Sequence, residues 1–350
     1  MVLTDLPANS NSLGEANIAL LGPIRIGPIE IRNPLLLGPM AGVSDFPFRE
    51  IARRQGAGLC VSEMVTSKTE LWHTRKSSSR LPSDKDPAPR PVQIAGAEPK
   101  AMAEAAKKLV DLGAGIIDIN MGCPAKKVCA KAAGSALLAD EKLVAQILEA
   151  VVQSVDVPVT LKTRTGIDPN NKNAVRIARL AESIGIQALT LHGRTRACRF
   201  RGKAEYETIA KVVQAVSIPV IANGDIDSPH KAQEVLIETG AAGLMIGRGA
   251  WGRPWLFRQI REHLNGQPIK QPSLNEIRDV ISAHIQLIHE TFEDNSGIGF
   301  VRKHVDKYLN PFDPDKSFRR MFNQLDSGQS QLDSLNTFFT QQQHSIFRAA

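Results

Sequence analysis

Cys123 lies in the run Asp118-Ile119-Asn120-Met121-Gly122-Cys123-Pro124-Ala125-Lys126-Lys127, at the end of an apolar stretch that reads as a buried strand. A strand that stops in Asn-x-Gly-Cys-Pro places a thiol, a carboxamide and a kinked backbone at one strand mouth. Proline and glycine forbid a simple helical continuation, so the thiol is held on a constrained turn. A cysteine presented this way can give or take a proton or attack an electrophile. A lone cysteine at a loop start is more often only a small residue, but here other strands end in comparable polar clusters. Gly38-Pro39-Met40-Ala41-Gly42, Gln93, Lys162-Thr163-Arg164, His192-Gly193-Arg194, Asn223-Gly224-Asp225 and Gly247-Arg248-Gly249 each close an apolar run.

These clusters need an architecture that brings strand ends together. Short β-branched runs alternate with amphipathic segments, the pattern of βα units around a parallel sheet. The strand candidates span residues 35–38, 59–62, 91–94, 116–119, 157–162, 188–192, 218–222 and 243–246. Eight units finished near residue 250 predict an α/β fold, a (β/α)8 TIM barrel rather than a doubly wound open sheet. Helices are expected over 99–112, stopped by Gly113, and over 142–155 and 173–184, the last stopped by Gly185. Another starts at Ser228-Pro229 and ends at Gly240. Residues 266–273, rich in Pro, Gln and Lys, read as a linker. Beyond it, apolar faces built on Ile277/Ile281/Ile285/Ile288, Val301/Val305/Tyr308/Leu309, Phe318/Met321/Phe322/Leu325 and Leu332/Leu335/Phe338/Phe339 predict a small all-α domain of about four helices. The division expected is a flexible extension at 1–22, a barrel at 23–262 and a helical domain at 263–345.

In such a barrel, side chains at the C-terminal strand ends face the active site. Gly224 and Gly247 let backbone approach a ligand closely and Arg248 adds a cation, in the loops where this fold usually cradles phosphate. Tight βα turns would account for either glycine cluster alone, but not for the two together. Lys162 could form a Schiff base, pair with phosphate or stabilise negative charge on a bound ring. With the cradle on one side and Gln93 on the other, the arrangement favours a flat, polar cofactor, and Met40 offers an apolar face to it.

The chain has 350 residues, 42% of them apolar, enough for a sizeable core, and no run long enough to span a membrane. Lys and Arg outnumber Asp and Glu by 43 to 36, for a net charge of +7, which suggests a polyanionic partner. Cys60, Cys123, Cys129 and Cys198 form no Cys-x2-Cys pair, so free thiols of a cytoplasmic protein and no metal site are expected. The first 21 residues lack the basic and apolar regions of a signal peptide.

Taken together, the runs resemble the tRNA-dihydrouridine synthases, most closely the bacterial branch called DusB. The runs that carry it are Gly38-Pro39-Met40-Ala41-Gly42, Gln93-Ile94-Ala95-Gly96, Asp118-Ile119-Asn120-Met121-Gly122-Cys123-Pro124, Leu161-Lys162-Thr163-Arg164-Thr165-Gly166, Leu191-His192-Gly193-Arg194-Thr195-Arg196, Ile221-Ala222-Asn223-Gly224-Asp225 and Met245-Ile246-Gly247-Arg248. The resemblance covers approximately residues 24–339. It implies FMN reduced by NADPH or NADH, and reduction of the C5=C6 bond of uridines in tRNA with Cys123 as proton donor. It also implies that Pro39, Met40, Ala41, Gln93, Lys162, His192, Asn223, Gly224, Asp225, Gly247 and Arg248 hold the cofactor. Asn120 and Arg164 would then touch the target uracil, which must be flipped from its stack. The basic helical domain, through Arg302, Lys303, Arg319 and Arg320, would grip tRNA phosphates, and a monomer is expected. The segment Val128-Cys129-Ala130-Lys131-Ala132 departs from the more polar stretch the family pattern leads one to expect. Two other readings are a flavin barrel reducing a free pyrimidine and an RNA-binding barrel without turnover. The basic appendage argues against the first, and the intact Cys123, Lys162 and Arg248 against the second.

Overall fold

Backbone pairing closes the strand candidates into a ring. The structure, a computed structural model, describes residues 21–129, 133–292 and 296–349. The expected N-terminal extension therefore lies outside the described residues except for its last two, as do Ala130, Lys131 and Ala132 of the divergent segment. The strands are β1 (Ile24–Ile26), β2 (Ile29–Ile31), β3 (Leu35–Leu37), β4 (Leu59–Cys60), β5 (Val65–Thr66), β6 (Pro91–Ala95), β7 (Ile116–Met121), β8 (Val159–Arg164), β9 (Leu189–His192), β10 (Val220–Asn223) and β11 (Gly243–Ile246). All but the first two run parallel in the order β4-β3-β11-β10-β9-β8-β7-β6-β5.

The second barrel strand is split. β4 pairs with β3 and β5 with β6, and at the bend between them the Ser62 amide donates to the Pro91 carbonyl at 3.1 Å, which closes the ring. Three strands begin later than the sequence suggests, at Val159, Leu189 and Val220; in the first and last, Pro158 and Pro219 have no N–H for the ladder. The antiparallel hairpin β1–β2 was not expected. Its Ile24, Ile26 and Ile31 pack with Leu36, Leu59, Ile221 and Met245 as a plug of apolar side chains in the barrel.

Register levels the functional residues. Asn120 lies opposite Lys162, Arg164 opposite His192, and His192 opposite Asn223. The surrounding helices start and stop where their caps dictate: Ser228 accepts from the Lys231 amide, and Gly240 ends that helix at φ +64°.

Four helices follow the linker, over Leu274–Thr291, Ser296–Tyr308, Ser317–Phe322 and Gly328–Ala349. The first opens with a capping box of Ser273 and Glu276. Their core is Ile277, Ile281, Ile285, Ile288, Val301, Val305, Tyr308, Leu309, Phe322, Leu335, Phe338 and Phe339. Met321, expected on an inner face, is 46% exposed: its short helix turns Phe322 inward and leaves Met321 outside. The helical domain is fastened to the barrel loop after β3. Lys303 Nζ donates to the Gly42 carbonyl, His304 Nε2 lies 3.3 Å from Asp45 Oδ2, and Phe48 stacks against both His284 and His304.

Candidate active site

The C-terminal mouth of the barrel opens into a cavity of about 790 Å³. Its wall includes Pro39, Met40, Ala41, Gln93, Asn120, Cys123, Lys162, Arg164, His192, Asn223, Gly224, Asp225, Gly247 and Arg248. The residues singled out at the strand ends therefore share one cavity, although the four proposed for the helical domain do not belong to it.

The Cys123 turn is held through the N–H and C=O groups of both Gly122 and Cys123. Asn120 Oδ1 accepts from the Gly122 amide at 3.1 Å and the Cys123 amide at 3.0 Å. The Gly122 carbonyl accepts from Arg164 Nε at 2.6 Å, and the Cys123 carbonyl accepts from the Ser135 amide and hydroxyl, each at 3.0 Å. Cys129 Sγ also reaches that carbonyl at 3.5 Å, so Cys129 supports the turn. Burial pushes the Cys123 thiol up, against the pull of the Ala125 amide, Arg164 and Lys162. At neutral pH Cys123 is a thiol with a proton to give.

Behind the turn, Asn120 Nδ2 donates to Gln93 Oε1 and Gln93 Nε2 donates to Asp118 Oδ2, both at 2.7 Å. Asp118 Oδ1 accepts from Thr160 at 2.7 Å. Burial pushes the Asp118 carboxyl up to about 6, while Gln93, Thr160 and Lys162 pull it back. The expected contacts of Gln93 to a cofactor and of Asn120 to a base thus belong to side chains already bonded to each other.

The opposite wall is cationic. Lys162 Nζ donates to Asn223 Oδ1 at 3.1 Å, and burial together with Arg164 lowers it to about 8, against Asp118 and Cys123. Asn223 Nδ2 is fixed by the Met245 carbonyl at 2.7 Å. His192 is held neutral, far below its ordinary range, by burial and by Lys162, Arg164, Arg194 and Arg248. At the far end Asp225 adopts φ +49° and pairs with Arg194 at 2.6 Å and Arg248 at 3.2 Å. Gly247 presents an unobstructed backbone, where an added Cβ would meet only Met40, at 3.5 Å.

Arg164 lines the cavity, and its buried guanidinium also braces two loops there: Nε donates to the Gly122 carbonyl and Nη1 to the carbonyls of Thr195 and Arg199. Arg319 is a correction. Only 4% exposed, it is bonded to Asp313 and Asp306, each at 3.0 Å, and cannot reach a phosphate. Lys303 is committed to the seam with the barrel, and half-buried Arg302 donates to the Leu325 carbonyl at 2.9 Å. Arg320 alone of the four is exposed. Sequence reasoning missed Phe200, a 55% exposed aromatic on the cavity wall with the guanidiniums of Arg164 and Arg248 at 5.4 and 5.3 Å from its ring centre. The signal was there, one aromatic inside the basic run Arg199-Phe200-Arg201-Gly202-Lys203. It also missed Asp118, visible only as a carboxylate inside a buried strand.

Outside the cavity, ligand-type atoms of Asp45, His284 and His304 lie within 4.8 Å of one another. His284 Nδ1 is paired with the Tyr308 hydroxyl at 3.1 Å, and the cluster joins the barrel to the helical domain.

The family model of the dihydrouridine synthases matches residues 36–343. The chain is 55% identical over 323 residues to tRNA-dihydrouridine synthase B of Pseudomonas aeruginosa, covering 92% of this chain and 97% of that one. Identity to tRNA-dihydrouridine synthase B of Vibrio vulnificus is 53% over 317 residues, covering 90% and 98%. Among solved structures, an old yellow enzyme homologue from Zymomonas mobilis is similar with a TM-score of 0.52 at 15% identity, over 73% of this chain and 95% of that one. Histamine dehydrogenase from Rhizobium sp. 4-9 gives 0.54 at 13%, over 77% and 51%. At such identities these two show the barrel fold alone. A family match over most of the length and relatives above half identity place the chain in the dihydrouridine synthase family, in its tRNA-dihydrouridine synthase B branch.

Proposed function

We propose that Cys123 is the general acid in an FMN-dependent, NADPH-driven reduction of tRNA uridine to 5,6-dihydrouridine. The family is one of flavin-dependent oxidoreductases; FMN, the reductant and the residue roles are our reading. The cavity fits the cofactor. Its volume lies in the range of small-molecule sites. One wall carries an ammonium and carboxamides suited to a polar ring edge, and one end carries exposed glycine backbone and Arg248 suited to a phosphate. Pro39, Met40 and Ala41 would flank the ring, with Gln93, Lys162, His192 and Asn223 around its polar edge and Gly224, Asp225, Gly247 and Arg248 toward the phosphate.

When bound, FMN supplies the hydride that adds to C6 of the uracil, NADPH or NADH having reduced it. That addition leaves negative charge on the C5/O4 side, and Cys123 delivers its Sγ proton to C5; the thiolate is then reprotonated from solvent. Lys162 sits where it would stabilise charge on the ring system. The observation that carries this reading is a thiol on the cavity wall, held protonated by burial, on a turn pinned by Asn120, Arg164 and Ser135.

Around the cavity, exposed Arg199, Arg201 and Lys203 flank Phe200, and Arg253 lies on the wall. These cations, with Arg320 of the helical domain, suit the backbone of a tRNA whose target base has been flipped inward. Among the described residues no helix is long and apolar enough to cross a membrane. All four cysteines are free, in keeping with a reducing cytoplasm. We read the working unit as a monomer. Purified protein should be yellow and hold one FMN per chain, and should form dihydrouridine on unmodified tRNA with NADPH. Protein that is colourless even after reconstitution with FMN would overturn the proposal.

A further inference from the structure

We propose that Asp118 is a positioning residue, whose carboxylate sets the direction of an amide relay through Gln93 and Asn120 that holds the Cys123 turn. The inference rests on the reading of Cys123 as the acid and adds to it a residue that touches neither substrate nor cofactor.

The relay has fixed ends. At one end stand two backbone N–H groups, of Gly122 and Cys123, which can only donate; Asn120 must therefore turn its carbonyl oxygen to them. Its amide nitrogen then faces Gln93, which must answer with its own oxygen, at 2.7 Å. That leaves the Gln93 nitrogen donating to Asp118 Oδ2, again at 2.7 Å, while Asp118 Oδ1 accepts from the Thr160 hydroxyl, so both oxygens of the carboxylate serve as acceptors. Every link has one permitted direction. Gln93, Asp118 and Asn120 are 1%, 3% and 6% exposed, so water is poorly placed to repair a reversed link. An amide elsewhere can flip at little cost; here a flip anywhere sets donor against donor, or acceptor against acceptor, down to the turn that aims the thiol.

The geometry also defines a reversal. In Asn120→Asp the new carboxylate still accepts from the Gly122 and Cys123 amides, but it confronts the Gln93 oxygen. If Gln93 flips to donate to residue 120, its oxygen confronts Asp118. Adding Asp118→Asn resolves that conflict, because an amide at 118 donates to the flipped Gln93 while its own oxygen accepts from Thr160. Net charge equals that of the wild type. Asp118→Asn alone should cost a few-fold, since the Thr160 hydroxyl can turn and accept.

The experiment compares wild type, Asn120→Asp, Asp118→Asn and the double variant as flavin-loaded enzymes. Two readouts are used: the alkylation rate of Cys123 by iodoacetamide at fixed pH, and the rate of tRNA-dependent reoxidation of the reduced flavin. Asn120→Asp should slow reoxidation by about 10²-fold, the usual cost of a misplaced reacting group, and should change the alkylation rate. The double variant should recover to within a few-fold of wild type in both. Such a reversal by a second buried substitution is not what a purely structural role for Asp118 produces. If Asn120→Asp alone is too unstable to purify, the double variant is compared with wild type in both readouts, and a loss beyond a few-fold in either overturns the proposal. A double variant no better than Asn120→Asp, or worse by the Asp118→Asn loss, overturns the proposal. The alkylation readout does not depend on Cys123 being the acid, so failure of that reading would show separately, as unimpaired turnover in Cys123→Ala.

Discussion

Arg319 and Arg320 are adjacent in sequence and should behave oppositely when removed. Arg319 lies 3.0 Å from Asp313, whose side chain is 2% exposed, and 3.0 Å from Asp306. It also donates to the Asp306 carbonyl at 3.2 Å and to the Asp313 carbonyl. Arg319→Ala would leave the Asp313 carboxylate buried and facing only the Phe318 and Arg319 amides and the Ser317 hydroxyl. Breaking a buried pair from one side costs about 3–5 kcal/mol. For a helical domain of this size each kcal/mol moves the midpoint by about 4–8 °C, so a loss well above 10 °C is expected if the domain melts on its own. Arg320→Ala removes an exposed guanidinium that, among the described residues, donates to the Asp315 carbonyl, and should stay within about 0.5 kcal/mol. Arg319→Lys should fall between, since an ammonium cannot make the same forked contacts. Urea denaturation followed by far-ultraviolet circular dichroism measures all three. The contribution should also depend on pH. The Asp313 carboxyl is held below its ordinary value by the Arg319 and Phe318 amides and the Arg319 side chain, which outweigh its burial. Its stabilisation is therefore present above the unfolded-state value near ~3.9 and is lost as pH falls through the lower folded value. Equal stability of Arg319→Ala and Arg320→Ala would refute this reasoning.

Arg248→Ala should weaken FMN binding by about 1.5 kcal/mol, or roughly tenfold, the low end for a charged hydrogen bond because Arg248 is largely exposed; flavin release followed by fluorescence checks it. Replacing Arg199, Arg201 and Lys203 together by Ala should lower tRNA affinity and reduce the slope of log K against log salt by roughly 2 to 3, with flavin content unchanged. The burial that raises the Cys123 thiol predicts that alkylation of Cys123 by iodoacetamide accelerates with pH only above the ordinary thiol value of ~8.5. An increase centred below that value would contradict a protonated donor.

The barrel was legible because each strand is an apolar run ended by glycine, proline or a polar cluster, and a parallel sheet is buried on both faces. The site was legible for a related reason: polar residues at the ends of apolar strands have few places to go except the mouth of the barrel. Pairing was less readable. Nothing local in residues 59–66 announces that one strand serves two neighbours through a bend, and the β1–β2 hairpin is recognisable as a plug only once the barrel exists. Charge placement was the weakest reading. Arg319 and Arg320 look alike in sequence, and only the return of Asp313 across the preceding turn buries one and leaves the other exposed. Lys303 is drawn to the seam by the Gly42 carbonyl, more than two hundred residues away. Asp118 has the same difficulty: a carboxylate in an apolar strand is explained only by Gln93 and Thr160 on the strands beside it.

Single-turnover reoxidation of the reduced enzyme by unmodified tRNA tests the central claim most directly. Wild type and Cys123→Ala, each loaded with FMN and reduced anaerobically by NADPH, would be mixed with tRNA while flavin absorbance is recorded and dihydrouridine is quantified. Flavin content and reduction by NADPH should match in the two proteins, because Cys123 takes no part in either. Reoxidation by tRNA should be slower in the variant by about 10² to 10⁴, the usual worth of a general acid. Cys123→Ala reoxidising at the wild-type rate, with the same yield of dihydrouridine, would contradict the account.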